Sequence, residues 1–333
     1  MIILAGDIGG TNTRLLLAES NGAGINVLYR KDYASQEYAD FYEVLLKFIE
    51  ESNNLLLIDA VCIGVAGPVI GNQVSVTNLP WVIKEKIISD VLKAPNVKLI
   101  NDFFAVSYGV GNLSEKDFIL IQQGMQRSDE HVPLSSVVIG AGTGLGVSCR
   151  FWANDRYHII SSEMGHIGFA PENELQSRLL IWLQQKFTHV SLEELLSGRG
   201  FEVIYRFLHQ ETGIKESKEI REQFTRQNIA QVISNAALAN SDELCVRTLQ
   251  CFVEIYGAAA GNAALSYYPV GEVYIAGGIA PIIREKIQSS LFIEAFNGKA
   301  MMSSNMKKIA IKLIVQEDIG LYGALAYGRE TSC

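Results

Sequence analysis

Cysteine is scarce: five in 333 residues, at positions 62, 149, 245, 251 and 333, an odd number with no C-x-x-C pair. That spacing suits neither a disulfide framework nor a zinc knuckle, and it fits a reducing compartment. No run of about 18 apolar residues occurs, so no membrane-spanning helix is expected. The opening Met1-Ile2-Ile3-Leu4-Ala5 has no basic residue ahead of its short apolar run and does not read as a secretion signal. A cytoplasmic location follows as the expectation. Lys and Arg are outnumbered, 28 against 36 Asp and Glu, for a net charge of -8. That balance argues against nucleic acid or an anionic membrane surface as partner. No Gly-Lys-Ser/Thr follows a glycine loop and no G-x-G-x-x-G opens a helix, which removes the Walker and dinucleotide-binding loops.

What is present is core-forming. Hydrophobic residues make up 48% of the chain and charged ones 19%, enough for two domains. Short β-branched runs at Ala60 to Ala66 and Val97 to Ile100 read as buried strands. Helical periodicity marks Phe41 to Glu50, Ala105 to Val110, Leu175 to Phe187, Ser191 to Leu196, Ile229 to Ala239 and Glu243 to Leu265. Alternating strands and helices make the class α/β. The charged stretch Glu211 to Arg226 reads as a solvated helical excursion. No Gly/Ser/Pro linker marks a boundary, so topology places it: residues 1–112 with 314–333 as a small α/β domain, and 113–313 as a large one. The strand-then-helix pattern from Leu313 to Arg329 suits a C-terminal helix returning to the first domain.

Three glycine-rich turns follow apolar runs. The first is Gly6-Asp7-Ile8-Gly9-Gly10-Thr11-Asn12-Thr13, the second Gly140-Ala141-Gly142-Thr143-Gly144-Leu145-Gly146, the third Ala276-Gly277-Gly278-Ile279. Residues without a Cβ let successive N–H groups converge on an anion. Thr11, Asn12 and Thr13 add donors, and Asp7 could hold a hydrated Mg2+ ion. The first loop alone is equally a plain hairpin turn. The first two loops share a hairpin pattern that suggests an internal duplication, and the three together favour a nucleotide clamp. The second would face the γ-phosphate, and the third would leave a flat slot for an adenosine ring.

The ordered motifs D-I-G-G-T-N-T-R, I-N-D-F, G-A-G-T-G-L-G, E-x-G-H-x-x-F-A-P, S-x-E-x-x-L-S-G and I-A-G-G-I-x-P resemble the bacterial glucokinases of the hexokinase, Hsp70 and actin superfamily. The resemblance runs from about Gly6 to the chain's end. It implies two ribonuclease H-like (actin-like ATPase) domains flanking a cleft, a homodimer, and transfer of phosphate from ATP, with Mg2+, to the 6-hydroxyl of glucose. Asp102 would be the general base; Asn101, Asp102, Glu163, His166, Glu193 and Asn78 would line the sugar. Gly6, Asp7, Ile8, Gly9, Gly10, Thr11, Asn12, Gly142, Thr143, Gly144, Gly277 and Gly278 would hold the nucleotide.

Read without the resemblance, Asn101-Asp102 is an N-cap pair, His166 a partly buried histidine, and Glu193 a helix-surface or capping residue after Ser191. Trp81 could face a sugar ring or lie in the core. Gly168 stands where the family often has Asp, and Met164 where it usually has Gly. A kinase for another hexose, such as mannose or an N-acyl hexosamine, and a non-catalytic sugar sensor are the competing functions. Asp7 and Asp102 argue against the sensor, which needs neither metal nor base.

Overall fold

A computed structural model describes residues 1–21, 24–53, 57–125 and 134–331. The chain divides into two compact units, one of residues 1–116, 159–161 and 316–333, the other of residues 117–158 and 162–315.

In the first unit the strands are β1 (Ile2–Ile8), β2 (Asn12–Asn21), β3 (Gly24–Ala34), β4 (Ala60–Val65), the short β5 (Val69–Ile70), β6 (Gln73–Ser75) and β7 (Val82–Lys84), and β8 (Asn96–Asn101). Five of them form one sheet in the order β3-β2-β1-β4-β8. β1 pairs antiparallel with β2 and parallel with β4, which is parallel to β8. Strand periodicity sorts β1 onto two cores. Ile2, Leu4 and Ile8 face a cluster that includes Trp81 and helix α1 (Phe41–Ser52); Ile3 and Ala5 face a second cluster. In α1, Phe41, Val44, Leu45 and Phe48 form the buried stripe, and Asp40 caps the start by accepting from the Glu43 N–H. Trp81 is 1% exposed and packs against Phe41, so it belongs to the core and is no platform for a ring.

Helix α2 spans Glu85–Leu92, and α3 spans Asp102–Gly109. The second cluster lies beneath α3 and the C-terminal helix Ile319–Thr331, which bring Ala105, Leu321, Ala324 and Leu325 onto the sheet. These two helices touch backbone to backbone. A Cβ on Gly323 would overlap the Ala105 carbonyl oxygen, and one on Gly109 would lie 2.5 Å from the Ile319 oxygen. Only hydrogen at both positions permits that approach.

The second unit is built on a sheet of β9 (Phe118–Gln122), β10 (Ser135–Ala141), β11 (Leu145–Ala153), β12 (Arg156–Ser162, of which 159–161 group with the first unit), β13 (Val270–Ala276) and β14 (Ala310–Ile314), in the order β12-β11-β10-β13-β14-β9. The central strands repeat the first unit: β10 is antiparallel to β11 and parallel to β13, itself parallel to β14. The suggested hairpin duplication therefore extends to a whole ribonuclease H-like sheet order. Helices α4 (Glu174–Gln184), α5 (Gly198–Thr212), α6 (Lys218–Phe224), α7 (Ile229–Leu238) and α8 (Glu243–Ser266) help build its core. Two expectations change. Ser191 to Leu196 holds only a 3-10 turn, Leu192–Glu194, and the charged excursion is split where Gly213, at φ 68°, ends α5 before α6.

Candidate functional site

Each unit carries part of the predicted machinery. In the first, Gly6, Asp7 and Ile8 are the last residues of β1 rather than part of the turn. Ile8 is fully buried, and a Cβ on Gly6 would press on Ile63 and Leu15, so their side-chain positions serve the sheet. The turn proper is Gly9, Gly10 and Thr11, closed by the Gly9 N–H donating to the Asn12 carbonyl at 2.9 Å. Thr11 and Asn12 are exposed. Thr13 is not: its hydroxyl is buried 3.0 Å from the Ser35 hydroxyl, which donates to the Gly9 carbonyl at 2.9 Å. Thr13 thus braces the loop from below instead of adding a donor. Asn78, exposed at φ 66°, lies against the loop, its Cβ 3.4 Å from where a Gly10 Cβ would sit.

Asp7 faces Arg14 across the hairpin in register, at 3.2 Å from Oδ2 to Nη1. Arg14 also reaches Asp32, and Arg30 joins Asp32 to Asp318 just before the C-terminal helix. Burial raises the Asp7 pKa; the Arg14 charge and hydrogen bond pull it back, and Asp318 and Asp32 push it up again. No motif marks Arg14; its place follows from the register, in which Ile8 pairs with Thr13 and Asp7 therefore with Arg14.

Asn101 ends β8 and caps α3. Its Oδ1 accepts from the Phe103 and Phe104 N–H groups at 3.0 and 3.2 Å, and its Nδ2 donates to the Gly67 carbonyl at 3.3 Å. The capping role is therefore real, which leaves one N–H of the amide for any ligand. Asp102 is the first residue of α3, half-buried, and its Oδ1 accepts from the Phe103 N–H at 2.9 Å. A carboxylate at a helix N-terminus beyond a sheet's carboxyl edge sits where α/β folds place reacting groups.

In the second unit, the glycine loop links β10 to β11 and uses some of its own donors. The Gly142 N–H bonds the Gly144 carbonyl at 2.8 Å, and the Gly142 carbonyl accepts from Gly198 at the start of α5 at 2.9 Å. Thr143 is exposed. Gly277, at φ 81°, passes so close to the Ala141 carbonyl that a Cβ would overlap it, whereas a Cβ on Gly278 would meet nothing within 4 Å. The glycine at 277 thus serves loop-to-loop contact while its other side stays exposed, and Gly278 beside it has open space where a side chain would stand. Beneath both loops lies Tyr256 of α8, fully buried. Its hydroxyl accepts from the Ala141 N–H at 3.1 Å and is 3.4 and 3.3 Å from the Ile139 and Ala276 carbonyls. No motif marked this residue; it lies in the middle of an apolar helix.

Glu163 precedes a 3-10 turn, Met164–His166, that His166 ends; both are exposed, with Oε2 and Nε2 4.0 Å apart. Two segments then pair: the Leu192 N–H donates to the Ile167 carbonyl at 2.9 Å, and the Phe169 N–H to the Val190 carbonyl at 2.8 Å. Gly168, opposite Ser191, forms the bridge of this pair. It brings the Glu163/His166 segment beside the Glu193 segment. Glu193 Oε2 accepts from the Leu145 N–H at 2.9 Å. Carboxylates and an imidazole on tied segments are suited to chelating neighbouring hydroxyls.

The chain is similar to known glucokinases over nearly its whole length. The glucokinase family model matches residues 4–331. A glucokinase of Trichormus variabilis is 37% identical over 337 residues, covering 97% of both chains. The crystal structure of a glucokinase from an Antarctic psychrotroph is 31% identical, covers 99% of both chains and superposes with a TM-score of 0.81. A Balamuthia mandrillaris glucokinase, solved with glucose, shares the fold at 20% identity and a TM-score of 0.81, over 98% of this chain and 93% of its own. The fold is the two-domain, actin-like ATPase fold of sugar kinases. With its motifs in order and its match nearly end to end, the chain belongs to the glucokinase family.

Proposed function

We propose that this protein transfers the γ-phosphoryl group of ATP to the 6-hydroxyl of D-glucose, giving glucose 6-phosphate and ADP. The observation that carries this reading is the tying of Glu163, His166 and Glu193 onto paired segments that abut a glycine loop. Asp102 accepts the proton of the attacking hydroxyl, an effect worth about 10² to 10⁴ in rate. Glu163, His166 and Glu193 hold sugar hydroxyls, with Asn78 and the spare N–H of Asn101 as further donors. Exposed Thr11, Asn12, Thr143 and Gly278, with buried Gly10 forming the turn beneath the first two, support binding of the triphosphate, whose charge in transfer spreads over equatorial oxygens.

Asp7 fits a Mg2+ ion held through water. Among the described residues no group of three or more His, Cys, Asp or Glu could cage a metal, and Mg2+ needs none, since it keeps its waters and takes phosphate oxygens as ligands. When bound, the ion neutralises phosphate charge. Arg14 fixes the Asp7 carboxylate for that task. A cytoplasmic homodimer completes the proposal. The buried free thiols of Cys62, Cys149, Cys245 and Cys251 suit a reducing compartment, and no helix among the described residues is long and apolar enough to cross a membrane. The dimer rests on the family resemblance and is tested by light scattering on the eluted protein.

The deciding experiment is ADP release measured over glucose, mannose, fructose, N-acetylglucosamine and N-acetylmannosamine. Glucose should give the highest kcat/KM; a higher value for another hexose overturns the substrate, and sugar binding without ADP release overturns catalysis.

A further inference from the structure

We propose that Glu193 also positions the glycine loop, through Leu145, so that sugar and nucleotide bind with positive coupling. The inference rests on the reading of Glu193 as a sugar ligand and adds a second task for the same carboxylate. Leu145 is the first residue of β11, directly after the turn of the loop. Both of its backbone polar groups meet the sugar-handling segments. Its N–H donates to Glu193 Oε2, and a Cβ on the neighbouring Gly144 would lie 2.5 Å from that same oxygen. Gly144 is therefore glycine to admit the carboxylate. On the carbonyl side, a Cβ on Gly165 would overlap the Leu145 oxygen and lie 3.3 Å from its carbon. Gly165 stands between Glu163 and His166, so both predicted sugar segments close on one residue of the phosphate loop.

Among the described residues, Oε2 is the oxygen of Glu193 that hydrogen-bonds, which leaves Oε1 for a sugar hydroxyl. A sugar drawing on Oε1 fixes the carboxylate, and a fixed carboxylate fixes the Leu145 N–H that points to it. The Gly198 N–H on the Gly142 carbonyl holds the other end of the turn, so the loop between has little freedom left. Ordering by one ligand lowers the ordering cost left to the other, and the coupling is equal in both directions.

The test is calorimetric titration of the full chain with a non-hydrolysable ATP analogue, without sugar and at saturating glucose, alongside the glucose KM. In the natural protein, glucose should tighten the nucleotide about fivefold or more, the lower end of measured couplings. Glu193→Ala should weaken the nucleotide about fivefold without sugar and respond to saturating glucose by less than about twofold. Glu193→Gln, whose amide oxygen still accepts from Leu145, should keep the natural nucleotide affinity without sugar while its glucose KM rises. Natural nucleotide affinity in Glu193→Ala without sugar, or equal losses in both variants, overturns the inference. Should Glu193→Ala not fold, Glu193→Gln decides alone: weakened nucleotide binding without sugar overturns the inference, and retained affinity supports it. An unchanged glucose KM in the variants overturns the sugar-ligand reading instead, so the two failures are distinct.

Discussion

Replacing Gly109 with Ala sets two physical terms of opposite sign against each other. Gly109 ends α3 at φ -59° and ψ -30°, a conformation that alanine adopts freely. Considered alone, that backbone predicts stabilisation of about 0.5–1 kcal/mol, since alanine has less freedom to lose on folding. The neighbours predict the reverse. The new Cβ would lie 2.5 Å from the Ile319 carbonyl oxygen and 2.8 Å from Ile319 Cγ1, while real Cβ contacts are essentially never under 3.0 Å. The C-terminal helix must therefore draw back by about half an ångström, and overpacking of this kind costs about 1–3 kcal/mol. At the midpoints of the two ranges the steric effect wins by about 1 kcal/mol, or a melting temperature lower by about 2–4 °C. Gly323→Ala, whose Cβ would overlap the Ala105 carbonyl oxygen, should lose more. Scanning calorimetry on the three proteins checks the order. A melting temperature for Gly109→Ala at or above the natural value refutes the reasoning, because propensity alone would then describe the site.

Asp102→Ala should lower kcat at least about a hundredfold while nucleotide affinity stays within about twofold; near-normal turnover in a steady-state assay ends its role as base. Tyr256→Phe removes only the hydroxyl and leaves the buried Ala141 N–H without its acceptor, a loss of about 1–3 kcal/mol in urea unfolding. Unchanged stability there would mean that water replaces the phenol. Burial raises the Glu254 pKa despite hydrogen bonds from Asn173 and Gln176 that lower it. Since the unfolded chain then ionises first, stability should fall as pH rises above about 4.5. Glu254→Gln should accordingly gain melting temperature over the natural protein at pH 7–8, with no gain below pH about 4.5. A gap that is the same at every pH would exclude the titration.

Strands and long helices were legible because their burial patterns are local. Ile2 to Ala5 is apolar enough to read as a strand, although β1 runs on to Ile8, and Glu243 to Ser266 reads as one helix apart from its last residue. The 3-10 turn at Leu192–Glu194 was not legible, because its conformation answers to pairing with Ile167 rather than to its own residues. In the candidate site, residue types were readable but their geometry was not. The N-cap pattern at Asn101 is readable, and two backbone donors do occupy its oxygen, but nothing around Thr13 says that its hydroxyl points inward to Ser35. Glycines misled in a particular way. Gly277 and Gly144 look like phosphate-cradling positions, whereas a carbonyl and a carboxylate packed against them explain their missing side chains. Contacts between residues distant in sequence decide such cases.

The first unit is assembled from both ends of the chain, residues 1–116 and 316–333, while the second is almost continuous between them. During synthesis, which proceeds at about 5–20 residues per second, the five strands of the first sheet are complete by residue 101. They must wait more than two hundred residues for the helix Ile319–Thr331 that covers Ile3, Ala5, Leu16 and Ala18. Until then an apolar sheet face is exposed to whatever binds nascent chains. A chain that stops early keeps the Asp7 hairpin but loses the Asp318 partner of Arg30 and the helix beside it. A product that stops before Ile319 therefore lacks the cover of one face of the sheet that carries the Asp7 loop.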